Sequence, residues 1–130
     1  MIVDSSAMVA MLRQEPEARA MFGALTDRGS GSMSAAGYLE TAIVIDSKRD
    51  PVLSARFDTM LVKLNIKIEP VTESQAKLAR QAYRDFGKGS GHQAQLNFGD
   101  CFAYALAMQR GEELLYKGDD FAHAGLMRVI

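Results

Sequence analysis

The sequence predicts an α/β domain: a mostly parallel central sheet of four to five short strands, flanked by helices on both faces. Three observations predict it. Short apolar or alternating runs recur between segments of helical periodicity, which is the pattern of strand–helix–strand crossovers. The 130 residues suit one domain able to bury a core without staples, so residues 1–130 are read as a single unit. The longest uninterrupted apolar stretch, Cys101 to Met108, falls far short of the ~18 residues that suggest a membrane span.

Ile2 and Val3 open the chain as a strand, and "DSSAMVAMLRQEP" follows as a helix capped by Ser5 or Ser6 and stopped by Pro16. Ala18, Met21, Phe22 and Leu25 recur at i, i+3, i+4 and i+7, an amphipathic helix ending near "DRGSGS". A second strand is expected around Ser30 to Met33. Ser34 caps the next helix, which carries Leu39, Glu40, Ala42 and Ile43 until "KRDP" breaks it. Phe57, Met60, Leu61 and Leu64 mark a fourth helix, and "NIKIEPV" a third strand with Ile66 and Ile68 on one face. "TESQ", Thr72 to Gln75, reads as a capping box opening a fifth helix that runs to about Phe86.

"GKGSGHQAQ", Gly87 to Gln95, has three glycines and no apolar periodicity, which suggests a mobile loop. "LNFGDCFAYALAM", Leu96 to Met108, reads as a helix apolar on nearly every face, with Asp100 in its first turn. Leu114 to Tyr116 and "LMRVI" supply the last two strands.

Net charge is −1, with 15 Lys and Arg against 16 Asp and Glu, so a polyanion would have to be met locally. The lone Cys101 forms no internal disulfide and lies in the apolar helix, which suggests a reducing compartment. Together with an N-terminus lacking a basic leader region, this gives the expectation of a cytoplasmic protein away from membranes.

Asp100 poses the functional question, because a carboxylate in an apolar helix is costly unless paired, hydrogen-bonded or metal-bound. Asn97 as the helix cap would place Asp100 at the third helical position, where free N–H groups favour a negative charge. Asp4 follows the first strand, Glu40 rides the helix after the second, and Asp119 with Asp120 follows the fourth. In parallel sheets, ligands bind outside the carboxyl ends of the strands, so these acids can reach one edge. Converging carboxylates repel, and a hard cation such as Mg²⁺ or Mn²⁺ with oxygen ligands relieves that conflict. Each acid also has a plainer reading as a turn, cap or solvated helix residue.

The stretches "MIVDSSA", "SAAGYLETAIV", "GKGSGHQAQLNFGDCFAYALA" and "LLYKGDDFAHAG" resemble the PIN-domain ribonucleases, and within them the VapC-type toxins of type II toxin–antitoxin pairs, over nearly the whole chain. The resemblance implies a PIN-like domain and a magnesium-dependent endoribonuclease, with manganese as an alternative ion. It implies metal-binding acids at Asp4 and Asp100, Glu40 as a further active-site acid, and Ser6 as a supporting hydroxyl, beside the Asn97 cap. In "KGDDF" either Asp119 or Asp120 fills the fourth acidic position. Asp119 is preferred because Asp120 looks paired with Phe121 in closing the turn.

The resemblance further implies an RNA substrate such as tRNA or rRNA, a VapB-type antitoxin and a homodimer. Arg13, Lys48, Arg84, Lys88, His92 and Lys117 are candidates for steering the RNA backbone, each with a plainer reading as a solvated surface group. Met8, Met11, Met21 and Phe22 form an adaptable groove for an antitoxin peptide or else pack in the core. Tyr38, Tyr83, Phe86, Phe98 and Tyr104 are expected in the core or a dimer interface rather than stacked on bases. The competing readings are a catalytically silent PIN-fold binding module and an aspartyl phosphotransfer domain, the latter lacking any neighbouring pattern beyond Asp4.

Overall fold

Ile2 and Val3 form the first strand, β1 (Ile2–Val3), and successive strand side chains point to opposite faces. Ile2 therefore enters one buried cluster and Val3 the other. The computed structural model describes residues 1–130. After β1 come α1 (Ser5–Leu12), α2 (Ala18–Arg28), β2 (Gly31–Ser34), α3 (Ala35–Asp46), α4 (Pro51–Lys63), β3 (Ile66–Glu69), α5 (Glu73–Phe86), α6 (Phe98–Arg110) and β4 (Leu114–Leu115).

The four strands are all parallel in the order β3-β2-β1-β4. Ile2 pairs with Ser32 on one side and with Leu114 on the other, so β1 is central. The chain winds outward through β2 to β3, then returns to the opposite side of β1. The strand order thus reverses at β1, where an open parallel sheet leaves a crevice beyond its carboxyl ends.

Two clusters cover the two faces. One joins Met8, Met11, Met21 and Leu25 of α1 and α2 to Ile45, Phe57 and Met60 of α3 and α4, closed by Val3, Met33 and Leu115. The other joins Ala79 and Ala82 of α5 and Cys101, Tyr104 and Leu106 of α6 to Ile2, Leu114 and Tyr116. Helices on both faces are what a parallel sheet requires, because both of its sides are apolar.

Several local expectations are corrected. Of the two readings of Met8, Met11 and Met21, core packing holds: all three are buried, although Met21 also borders a shallow groove with Ala20 and Tyr116. Thr72 does cap α5, accepting from the Gln75 N–H, but the Gln75 side chain donates to Gln109 on α6 and is not committed to a reciprocal box. Ile66 and Ile68 share one face of β3 as expected, but only Ile66 is buried. "LMRVI" contributes an isolated bridge, Leu114 to Arg128, and no fifth strand. The Arg128 guanidinium lies 4.4 Å over the Tyr116 ring, holding that tail against the fold.

The glycine loop after α5 is tied at its base, where the Lys88 N–H donates to Leu96 and the Leu96 N–H to Phe86. No helix is long and apolar enough to cross a membrane.

Candidate active site

Beyond the carboxyl ends of β1 and β4 lies a polar pocket of about 400 Å³, lined by Asp4, Ser5, Ser6, Glu40, Asn97, Asp100, Lys117 and Asp120 among others. Five acids line it, Asp4, Glu15, Glu40, Asp100 and Asp120, each from a different segment of the chain.

Asp4 leaves β1 as the cap of α1, a role the sequence suggested for Ser5 or Ser6. Its Oδ2 accepts from the Ser6 N–H at 3.0 Å and from the Ser6 hydroxyl at 2.6 Å. The residue is only 4% exposed. Burial pushes its carboxyl up to about 6, with the Glu40 charge adding to the rise and the Ser6 bonds opposing it.

Asp100 sits in the capping box that its spacing from Asn97 suggests. The Asn97 side chain accepts from the Asp100 N–H at 2.8 Å, and Asp100 Oδ2 accepts from the Asn97 N–H at 2.9 Å. Its carboxyl is likewise raised to about 6, first by burial and then by the charges of Asp4, Asp120 and Glu40. The Asn97 bond pulls the other way. The capping box thus explains why Asp100 is tolerated in this helix, while the like charges around it give the carboxylate a second, repulsive environment.

Glu40 reaches the pocket from the second turn of α3, and its Oε1 accepts from the Ser5 hydroxyl at 2.5 Å. Thirty-five residues separate the two in sequence. Sequence reasoning missed Ser5 as an anchor, and the doubled serine of "DSSA" was its only signal.

Of the two adjacent acids offered for the fourth position, the structure brings one to the pocket. Asp120, not Asp119, lines the pocket and raises Asp100. Asp119 instead uses its carbonyl to accept from the Ala122 N–H in the turn that follows.

Ser6 couples two parts of the site. Its hydroxyl accepts from the Lys117 N–H at 3.0 Å while donating to Asp4, so it ties the loop after β4 to the end of β1. A Ser6→Ala variant is expected to lose about 1.5–3 kcal/mol of stability, the range for a hydrogen bond to a charged group, measured by urea denaturation. A variant with unchanged stability would show that the hydroxyl does not hold this junction.

The donor set suits a hard cation. It is all oxygen, without His or Cys, and burial, with a smaller contribution from neighbouring acids, raises the Asp4 and Asp100 carboxyls above the ordinary range, a cost that a divalent charge would reverse. Asp4 and Asp100 each commit Oδ2 to the hydrogen bonds above, which leaves Oδ1 clear of them. No three His, Cys, Asp or Glu side chains converge into a ready-made ligand set for one ion. Mg²⁺ is compatible with such a site, because it is typically held by one or two carboxylates and keeps several waters.

The basic candidates divide. Lys117 lines the pocket, its ammonium paired with Glu15 and, at 3.6 Å, with Glu17. The Glu15 hydrogen bond raises its pKa. Arg13 caps the far end of α1 from Asp4, and Lys48 is an exposed residue just past α3. Lys88 is exposed in the loop after α5, outside the pocket. His92 also lies outside it: its Nδ1 accepts from the Ala94 N–H and its ring meets Phe86 edge-on at 4.8 Å. Arg84 borders a separate groove of about 510 Å³ between α5 and α6, with Arg80, Tyr83, Phe98 and Phe102.

Of the aromatic residues, Tyr104 is buried, whereas Phe98 is 77% exposed. With Met108 also exposed, α6 is therefore not buried on every face.

The PIN domain family model matches residues 1–126. The chain is 55% identical over 130 residues to Ribonuclease VapC28 of Mycobacterium tuberculosis, covering 100% of this chain and 98% of that protein. It is 46% identical over 121 residues to Ribonuclease VapC of Mycolicibacterium smegmatis, covering 93% of each. Among solved structures, that of Mycobacterium tuberculosis VapC20, described as a sarcin–ricin loop cleaving toxin, aligns with a TM-score of 0.73 at 16% identity, over 97% of this chain and 95% of that one. A chain of a toxin–antitoxin complex from Klebsiella pneumoniae aligns with a TM-score of 0.70 at 15% identity, over 95% and 92%. These last two likenesses bear on fold alone.

Proposed function

Because the chain belongs to the PIN domain family, we propose that it is the endoribonuclease toxin of a VapBC-type toxin–antitoxin pair, hydrolysing phosphodiester bonds in RNA with the help of a bound Mg²⁺ or Mn²⁺. The observation that carries this reading is the convergence of Asp4, Glu40, Asp100 and Asp120 on one pocket at the strand-order reversal. The relatives named as VapC ribonucleases, matched over nearly their full length, support the same activity.

In this reading Asp4 and Asp100 hold the cation, and Asp120 adds negative charge at the open side of the pocket. When bound, the cation supplies Lewis acidity toward a phosphate oxygen and toward water. The chain's own residues do the positioning. Ser6 and the Asn97 capping box fix the rotamers of the two metal-binding acids, so little reorganisation is left for the reacting complex. Glu40, fixed at Oε1 by Ser5, offers Oε2 to orient the attacking water and accept its proton. Lys117, Arg13, Lys88 and His92 remain proposed contacts to the RNA backbone. Lys117 is the one at the pocket, where it would exchange its glutamate partners for phosphate.

A VapB-type antitoxin is the proposed protein partner and a homodimer the proposed assembly. Exposed Leu39 and Ile43 on α3 support apolar association of this kind.

The test is cleavage of total cellular RNA by the purified chain, freed of antitoxin, with Mg²⁺, with Mn²⁺ or with EDTA. Discrete fragments that appear only with a cation are expected, and their ends identify the target. No cleavage with either cation, with antitoxin binding intact, would make the chain a binding module instead.

A further inference from the structure

Gly99 is the second residue of α6, between the capping Asn97 and the pocket-lining Asp100. A Cβ placed on Gly99 would lie 2.1 Å from Glu40 Oε2, 2.7 Å from its Cδ and 2.8 Å from Oε1. The Glu40 carboxyl group therefore occupies the space that any side chain at residue 99 would fill. Its other contact is the Ser5 hydroxyl, at 2.5 Å from Oε1. Glycine is among the least favourable residues within a helix, so local helix stability does not account for glycine here.

We propose that Gly99 is a positioning residue for Glu40: the missing side chain is a notch in the first turn of α6 that admits the carboxylate beside Asp100. The inference rests on the reading of this pocket as a nuclease site. Ser5 sets one oxygen from α1, and the notch sets how closely the whole group approaches α6. The N-terminal turn of a helix also favours an anion, which makes close approach electrostatically acceptable.

A side chain at residue 99 would clash with the end of a flexible glutamate rather than with backbone. Glu40 can swing away at little cost to the fold, so function and stability are separable. In cleavage assays Gly99→Ala is expected to lose about 10–100-fold in rate, the scale of a misplaced reacting group. Its melting temperature is expected to stay level or rise, because alanine at a helical position restricts the unfolded chain. The decisive comparison repeats Gly99→Ala in a Glu40→Gln background, where it should cost almost nothing further, since the group it displaces no longer carries a charge.

Wild-type rates for Gly99→Ala would overturn the proposal. So would an equal fold-loss with and without the Glu40 charge, or a melting temperature lowered enough to explain the loss by unfolding. A wild-type chain that cleaves no RNA would overturn the nuclease reading itself and this inference with it.

Discussion

Asp100→Asn is expected to lower RNA cleavage by at least about 10³-fold, the scale on which an active-site charge or proton-transfer group contributes, without unfolding the chain. Asparagine is nearly isosteric, and its side-chain oxygen can still accept the Asn97 N–H that now ends on Asp100 Oδ2. The start of α6 therefore keeps its reciprocal cap. What disappears is the charge, together with its repulsion from Asp4, Asp120 and Glu40. Thermal stability above pH 6 should accordingly hold or rise while activity collapses. The check is to run cleavage and thermal denaturation on the same preparations. Undiminished cleavage would mean that Asp100 serves α6 only as a cap and that the chemistry lies elsewhere.

The second large effect is on stability as a function of pH. Asp4 and Asp100 hold their protons to about pH 6 in the folded chain, whereas an ordinary aspartate carboxyl gives its proton up near 3.8. Between those limits the folded state binds more protons than the unfolded one. The contribution of these groups is therefore fully present below about pH 4 and is lost as pH rises through 6. In the absence of divalent cation, the melting temperature of Asp4→Asn minus that of the wild type is expected to grow from pH 4.5 through pH 6 and to level off above about pH 7.

Added Mg²⁺ or Mn²⁺ should raise the wild-type melting temperature more at pH 7.5 than at pH 5, because it competes with protons for the same oxygens. The variant should respond less. A difference between variant and wild type that does not change with pH would show that Asp4 ionises in the ordinary range. A cation effect that survives in Asp4→Asn would remove Asp4 from the proposed ligand set.

The contrast between Asp100 and Glu40 shows what was legible in the chain. Asn97 and Asp100 are three residues apart, so their capping box follows from helical geometry and could be read directly. Ser5 and Glu40 are joined only when α1 and α3 pack together, and no local pattern connects them. The same distinction separates Asp119 from Asp120: adjacent acids in a turn point differently, and only the path of the turn after β4 selects the one that faces the pocket.

Met8, Met11 and Met21 were ambiguous for a related reason, since an apolar stripe looks alike whether it meets a peptide or the chain's own sheet. "LMRVI" has the composition of a strand but finds backbone partners at too few positions to extend one.

The sequence by itself determined the alternation of strands and helices, most of their boundaries, and the presence of an acid on each segment that builds the site. These follow from periodicity and capping, which act over a few residues. Tertiary structure alone decided the order β3-β2-β1-β4, the burial that raises Asp4 and Asp100, the Ser6 link from Lys117 to Asp4, and the fit of Glu40 against Gly99. Each of these depends on distances between residues remote in the chain, set by how both faces of the sheet are covered.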